Sequence, residues 1–417
     1  MVMVNNQMKR RVVVTGIGLV SPLGCSLEAF WQALDQGRSG IRQCRNLDVS
    51  DFPIKIAGEV DNSFLHSDLT VKFISKSDRA LVLGLCATSR ALADAGLRND
   101  GEEPIEAGCI LGTGLGPGSD MESSYSILAS KGWRKLRPMT IPKTMFNAIA
   151  NRITIKYKLL GQHYTIASAC ASSSHALGMA TMMIRSGMEN MILAGGADSP
   201  LLPGIFGAWI NLGILSPNPE APLAFRPFDK NRDGLVLSEG AAMLVLEELE
   251  HAKSREARIY AEIVGYGATS DATHLTNPDP DGQARAINLA LQNAELGHSD
   301  IDYINAHGTA TILNDLVETQ AIKLAFGKRA YEIPVSSTKS MTGHPMGTAG
   351  AIELVACIQT IRHNRVPPTI NLDEPDSMCD LDYVPKVSRH CHVDIALSNS
   401  FAFGGSNSVL VVKRFVE

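Results

Sequence analysis

Along this chain, short unbroken apolar runs alternate with longer segments at helical spacing. Residues 11–17 (RVVVTGI) are β-branched and bounded by Gly and Pro, which predicts a buried strand. Further runs predict strands ending at Ile110-Leu111 and over 191–195, 240–249, 259–268, 301–305, 335–337, 396–401 and 409–415. Helices are expected over 27–36, 77–97, 176–184, 283–296 and 347–361. Residues 200–222, rich in Pro and Gly, are expected to form a loop-rich insert that exposes Phe206, Trp209 and Ile210. Continuous apolar strands alternating with helices predict an α/β fold with a mostly parallel sheet covered on both faces. Two helical segments, 176–184 and 349–361, are apolar all round, so each must lie between layers. One falls in each half, which points to a duplicated unit. The charged segment 251–258 marks the boundary, giving halves at 10–255 and 256–417.

Composition narrows this frame. With 417 residues and 45% hydrophobic content the chain can bury two domain-sized cores. A net charge of −5 and a pI near 6.1 argue against nucleic-acid binding. No apolar run reaches the length of a membrane span, so no membrane association is expected. Eight cysteines are scattered without any C-x-x-C pair, as expected of reduced thiols in a cytoplasmic protein.

Two glycine patterns bear on nucleotide binding. Gly16-Ile17-Gly18 lacks the third glycine of a dinucleotide fingerprint and runs into Pro22, so it is read as a strand followed by a Gly/Pro loop. The loop from Gly112 to Gly118 lacks the Lys-Ser/Thr of a phosphate loop; there the glycines let other backbone approach, with Leu115 projecting into a cavity.

The candidate chemistry centres on Cys170, in YTIASACASSSHALGMATMM, where a short strand turns into an apolar helix. A helix start offers unpaired N–H groups and positive potential. An ordinary thiol is only about 3% ionised at pH 7. A partly buried helix terminus is worth up to about 2 kcal/mol, enough to ionise about half of it. In the second half, His307 and His344 each stand beside a glycine at the end of a predicted strand, and Lys339 precedes His344. Glu353 is the one acid in the apolar segment 347–361, which suggests a buried ion pair with Lys339. A nearby ammonium would hold both imidazoles neutral. Neither histidine has an acidic or thiol partner at ligand spacing in the sequence, so no metal is expected.

Four motifs, Ser168-Ala169-Cys170, Asn305-Ala306-His307-Gly308-Thr309, the run from Thr338 to His344, and the run from Asn399 to Gly405, carry a family resemblance. Essentially the whole chain from Arg10 resembles the elongating β-ketoacyl-[acyl-carrier-protein] synthases of the thiolase superfamily. The resemblance implies a five-layered αβαβα sandwich of two duplicated halves and a dimer. The first half would carry the nucleophile and cap insertions, the second both histidines. Cys170 would take an acyl chain from acyl carrier protein, and malonyl-carrier protein would extend it by two carbons in fatty-acid synthesis. His307 and His344 would stabilise the enolate, with Lys339 and Glu353 in electrostatic support. The backbone of Cys170 and Phe403 would form an oxyanion hole. Thr309 and Thr311 would hold the pantetheine arm, and Leu115, Phe206 and Phe403 would line the acyl pocket. No cofactor is implied beyond the phosphopantetheine of the carrier.

Three departures from the family pattern keep an alternative open, one of them the less common pair Pro345-Met346 after His344. Ala402 stands where the family's gate turn usually begins with Gly, so a turn that is stiffer, or that pivots elsewhere, is expected there. Trp209-Ile210-Asn211 falls where relatives often carry a basic residue facing the carrier. The alternative is the catalytic subunit of a type II polyketide or polyene system, paired in a heterodimer with a chain-length-factor homologue. A coenzyme A-dependent thiolase fits less well, because Phe403-Gly404-Gly405 stands where a second catalytic Cys-Gly-Gly would be. A non-catalytic subunit would not need Cys170, His307 and His344 together.

Overall fold

The computed structural model describes residues 10–65, 69–97 and 100–417. Ten strands form one hydrogen-bonded sheet: β1 (Val12–Val20), β2 (Gly108–Gly112), β3 (His163–Ile166), β4 (Met191–Asp198), β5 (Gly240–Glu248), β6 (Ala261–Ser270), β7 (Tyr303–Asn305), β8 (Val335–Ser336), β9 (Ile395–Ala402) and β10 (Ser406–Lys413). Their order is β8-β7-β9-β10-β6-β1-β5-β4-β2-β3. Divided between β6 and β1, the two sets of five strands have the same internal order, 1-5-4-2-3 against 6-10-9-7-8. Only β5 and β10 run against the other strands of their set. The halves join where Val13 and Val14 pair with Glu262 and Ala261. The duplication inferred from two apolar helices is thus written into the strand order.

The longer helices are α1 (Leu27–Asp35), α2 (Arg79–Asp94), α3 (Gly118–Lys131), α4 (Ala148–Tyr157), α5 (Ser172–Arg185), α6 (Pro203–Leu212), α7 (Pro280–Ala294), α8 (Ile312–Phe326) and α9 (Ala349–His363). α2 and α4 cover one outer face, and α7 and α8 the other. α5 and α9 pack on each other between the two halves of the sheet, completing an αβαβα sandwich. α9 is buried on every side from Ala349 to Ile361, as a helix between two sheets must be. The largest apolar cluster gathers residues of α5, α9 and the inner faces of β1, β4 and β5. No helix among the described residues is long and apolar enough to cross a membrane.

Two expectations are corrected. The first strand does not end at Ile17 but runs to Val20, through both glycines. A Cβ at Gly16 would lie 2.4 Å from the Ala91 carbonyl oxygen, and one at Gly18 would lie 2.0 Å from that of Ala87. These glycines serve close packing of α2 on the strand, not a loop. Residues 200–222 are not all loop: α6 begins with Pro203 in its first turn and ends at Gly213, which has a left-handed φ of 74°. Phe206 on α6 is fully buried, and Trp209 and Ile210 are half-buried rather than exposed.

Candidate active site

Cys170 lies in a tight 3-10 turn, Ala169–Ala171, directly before α5. Ala169 has φ 49°, a left-handed conformation that costs a non-glycine residue on the order of 1 kcal/mol. Ser172 holds the turn: its hydroxyl donates to the Ala169 carbonyl at 2.7 Å and accepts from the Ser168 N–H at 2.9 Å. The thiol sits in the core, 6% exposed.

The second half brings both histidines to this thiol. His344 Nε2 is 3.1 Å from Cys170 Sγ. The ring of His307 stands perpendicular to that of His344, with centroids 5.4 Å apart. One ring nitrogen of each histidine and the sulfur all lie within 4.8 Å of one another. His307 follows β7, and its position is fixed through the backbone. The N–H groups of His307 and Gly308 each donate to buried Glu318 at 2.7 Å, and Asn399 Nδ2 donates to the same carboxylate at 3.1 Å. His344 is held from β-bridge contacts: its N–H donates to Val236 O at 2.8 Å, and its carbonyl accepts from Ser238 N–H at 3.0 Å. Lys339 and Glu353 form a fully buried ion pair behind the rings.

The electrostatics follow from burial and this one cation. Burial, with Lys339 adding to it, holds His344 well below the usual histidine range. The same two causes, and His344 itself, do so for His307. Both rings are therefore neutral at physiological pH. Burial pushes Glu353 up to about 7 against the pull of Lys339. The half-ionised thiol expected from the helix start is corrected: burial pushes Cys170 up to about 12, with Lys339 the largest opposing influence. Burial thus favours the neutral thiol, which rests beside His344.

A cavity of about 280 Å³ opens onto these groups. Cys170, His307 and His344 line it together with Thr309, Thr311, Phe401, Ala402 and Phe403, and Trp209, Ile214 and Leu235 form an apolar side. The Thr309 and Thr311 hydroxyls are 3.0 Å apart. Leu115 and Phe206 do not line this cavity. Phe206 packs on Phe52 within the apolar cluster that includes Cys170, and Leu115 is half-buried with its N–H on Asp198. Of the two expectations for the turn, the left-handed residues Gly404 and Gly405 fit a pivot away from Ala402, which ends β9 paired with Ser406 and carries no backbone strain.

The spacing argument against a metal does not survive folding, because tertiary structure supplies the thiol partner that the sequence neighbourhood lacks. Sequence reasoning missed two buried acids. Glu318 could have been flagged as Glu353 was, as an acid on the buried side of a helix. Asp198 accepts from the N–H groups of Gly114, Leu115 and Gly347 and from the Thr113 hydroxyl, tying the glycine-rich loop to the start of α9. Burial raises Asp198 to about 6 despite these donors. Only its place at a strand end hinted at it.

A buried thiol facing two neutral imidazoles, at the joint of a duplicated αβαβα frame, is the build of a thiolase-fold acyltransferase. Residues 9–252 match the model of the beta-ketoacyl synthase N-terminal domain, and residues 260–373 that of the C-terminal domain. The 3-oxoacyl-[acyl-carrier-protein] synthase 2 of Coxiella burnetii is 44% identical over 412 residues, covering 98% of this chain and all of that protein. Among solved structures, the ishigamide ketosynthase/chain length factor superposes with a TM-score of 0.91 at 36% identity, over 98% of this chain and all of that one. A type II PKS ketosynthase, solved in complex with its acyl-carrier protein and bound to the hexaketide, gives 0.89 at 34% with the same coverage. The chain belongs to the beta-ketoacyl synthase family.

Proposed function

We propose that the protein is a 3-oxoacyl-[acyl-carrier-protein] synthase of fatty-acid synthesis, condensing malonyl-carrier protein with an acyl chain held on Cys170. The observation that carries this reading is the thiol of Cys170 beside His344, with a second neutral imidazole, His307, facing the same space. In the first half-reaction the Cys170 sulfur attacks the acyl-carrier thioester, and the thiol proton leaves with the pantetheine sulfur. Backbone N–H groups of Cys170 and Phe403 serve the tetrahedral oxyanion. In the second, the malonyl carboxylate leaves as CO2, and the electron pair forms an enolate whose oxygen accepts N–H bonds from His307 and His344. Each such donor is worth about 3–4 kcal/mol. The enolate carbon attacks the acyl carbonyl and expels the Cys170 sulfur, which takes up one proton from solvent. Burial, reinforced by Lys339 in its pair with Glu353, keeps the rings neutral, so they donate hydrogen bonds rather than carry charge.

Thr309 and Thr311 bind the pantetheine arm from the cavity wall. Of the residues expected around the acyl chain, Phe403 acts from the cavity wall and Phe206 from within the apolar cluster that includes Cys170. The chemistry is redox-neutral and needs no metal or further cofactor; both acyl groups arrive on the carrier's phosphopantetheine. A cytoplasmic homodimer fits best. β3 is an edge strand, and Tyr164 on it, with Leu160, Met179 and Met182 nearby in sequence or on α5, leaves apolar surface uncovered.

The deciding experiment supplies acyl-carrier protein and then malonyl-carrier protein to the purified chain. Intact mass should show acylated Cys170, then a 3-oxoacyl product two carbons longer. A chain that is never acylated overturns the reading. The polyketide alternative is favoured by one observation, the similarity of the chain to a ketosynthase/chain length factor and to a type II PKS ketosynthase. Under it the chain would be insoluble or inactive until co-expressed with a chain-length-factor homologue.

A further inference from the structure

Phe403 sits at the tip of the turn between β9 and β10, where Gly404 (φ 82°) and Gly405 (φ 71°) make the backbone permissive. Three backbone hydrogen bonds restrain the turn, from Gly404 N–H to Leu275 O, from Gly405 N–H to Ala402 O and from Asp271 N–H to Gly405 O. None of them holds the Phe403 ring. The ring is met by one other aromatic group: Trp209 of α6 stacks on it, with centroids 5.9 Å apart and planes 16° from parallel. Trp209 is itself half-buried and packs against the apolar cluster that includes Cys170 and Phe206. Both rings line the cavity through which any thioester must reach Cys170.

We propose that Trp209 is a specificity-determining residue: by stacking on Phe403 it fixes one wall of the passage to Cys170 and restricts the bulk of acyl chain admitted. The inference rests on the condensing function proposed above. The pair joins a firm partner to a soft one. α6 is anchored by the fully buried Phe206, one turn before Trp209, whereas Phe403 rides on two glycines. Removing the indole therefore does two things at once: it empties the volume of the largest side chain on that wall, and it releases the Phe403 ring. Aromatic pairs of this kind shift an equilibrium by about 2- to 10-fold. A long or branched chain needs the wall to yield more than an acetyl group does. The effect therefore falls on the ratio between chains and not equally on all.

The test is the rate of Cys170 acylation, read by intact mass, with carrier protein bearing either a short or a long acyl chain. In Trp209→Ala the long-to-short ratio of rates should rise by about 2- to 10-fold. Trp209→Phe, which can restack, should keep the ratio of the unaltered protein. A merely structural role for Trp209 would depress both rates together. A ratio that is unchanged or lower in Trp209→Ala overturns the inference, and Trp209→Leu gives the same reading if the alanine variant does not fold. Failure of the unaltered protein to accept any chain overturns the condensing function itself, which separates the two outcomes.

Discussion

The two halves of the molecule repeat one another down to the turn that begins each central helix, yet only one of these turns carries a nucleophile. In the first half, Ala169 at φ 49° precedes Cys170, one turn before α5. In the second, Met346 at φ 48° precedes Gly347, one turn before α9. Each turn is faced by the loop after the second strand of the other half. Cys170 meets His307, which follows β7. Gly347 meets Gly114, which follows β2, so closely that a Cβ on Gly347 would lie 2.2 Å from the Gly114 nitrogen. The same backbone device thus opens a reactive space in one half and closes it in the other.

The largest effect expected from breaking this asymmetry is Cys170→Ala. It keeps the Cβ and so the packing, but should cost at least about 10⁴-fold in condensation and all covalent acylation, read by product assay and intact mass. Next is Lys339→Met, which strands Glu353. Breaking a buried pair costs about 3 to 5 kcal/mol, visible as a lowered denaturation midpoint. It also removes a cation that lowers both imidazoles, so the His307 and His344 titrations, followed by NMR, should move to higher pH.

His307→Ala removes one enolate donor and should slow malonyl decarboxylation by about 10²- to 10³-fold while Cys170 still accepts an acyl chain. It also bears on stability. The folded chain keeps this ring neutral, whereas the unfolded chain protonates it near 6.5. The native state therefore loses stability as pH falls below that value. The variant should lose less stability on acidification than the unaltered protein, measured by denaturation at pH 7 and pH 5.

The smallest effects compare the two turns directly. Gly347→Ala forces a Cβ into backbone and should destabilise by about 1–3 kcal/mol. Ala169→Gly relieves a left-handed alanine and should change stability by less than about 1 kcal/mol. Equal costs at the two positions would mean the turns are not packed differently after all.

The strands carrying the site were legible because buried parallel strands are unbroken apolar runs, and α9 because few helices are apolar all round. Gly16 and Gly18 were misread as a loop because a glycine that admits a neighbouring helix looks, in sequence, like one that turns the chain. α6 was misread because Pro203 opens a helix with the same residue type that ends one. Cys170, His307, His344 and Lys339 were visible as residues set at the ends of predicted elements. Glu318 was visible only as an acid on the buried side of a helix; its partners, two backbone N–H groups and the Asn399 amide, come from distant stretches and leave no local pattern.

The sequence by itself determined which groups are available, since apolar periodicity places elements and local turns place the side chains at their ends. Tertiary structure alone decided their state. It brought the thiol against an imidazole 174 positions away in the chain, and it buried the site deeply enough that desolvation raises the thiol above its ordinary range. Desolvation depends on everything packed around a group, and no local stretch of sequence contains that.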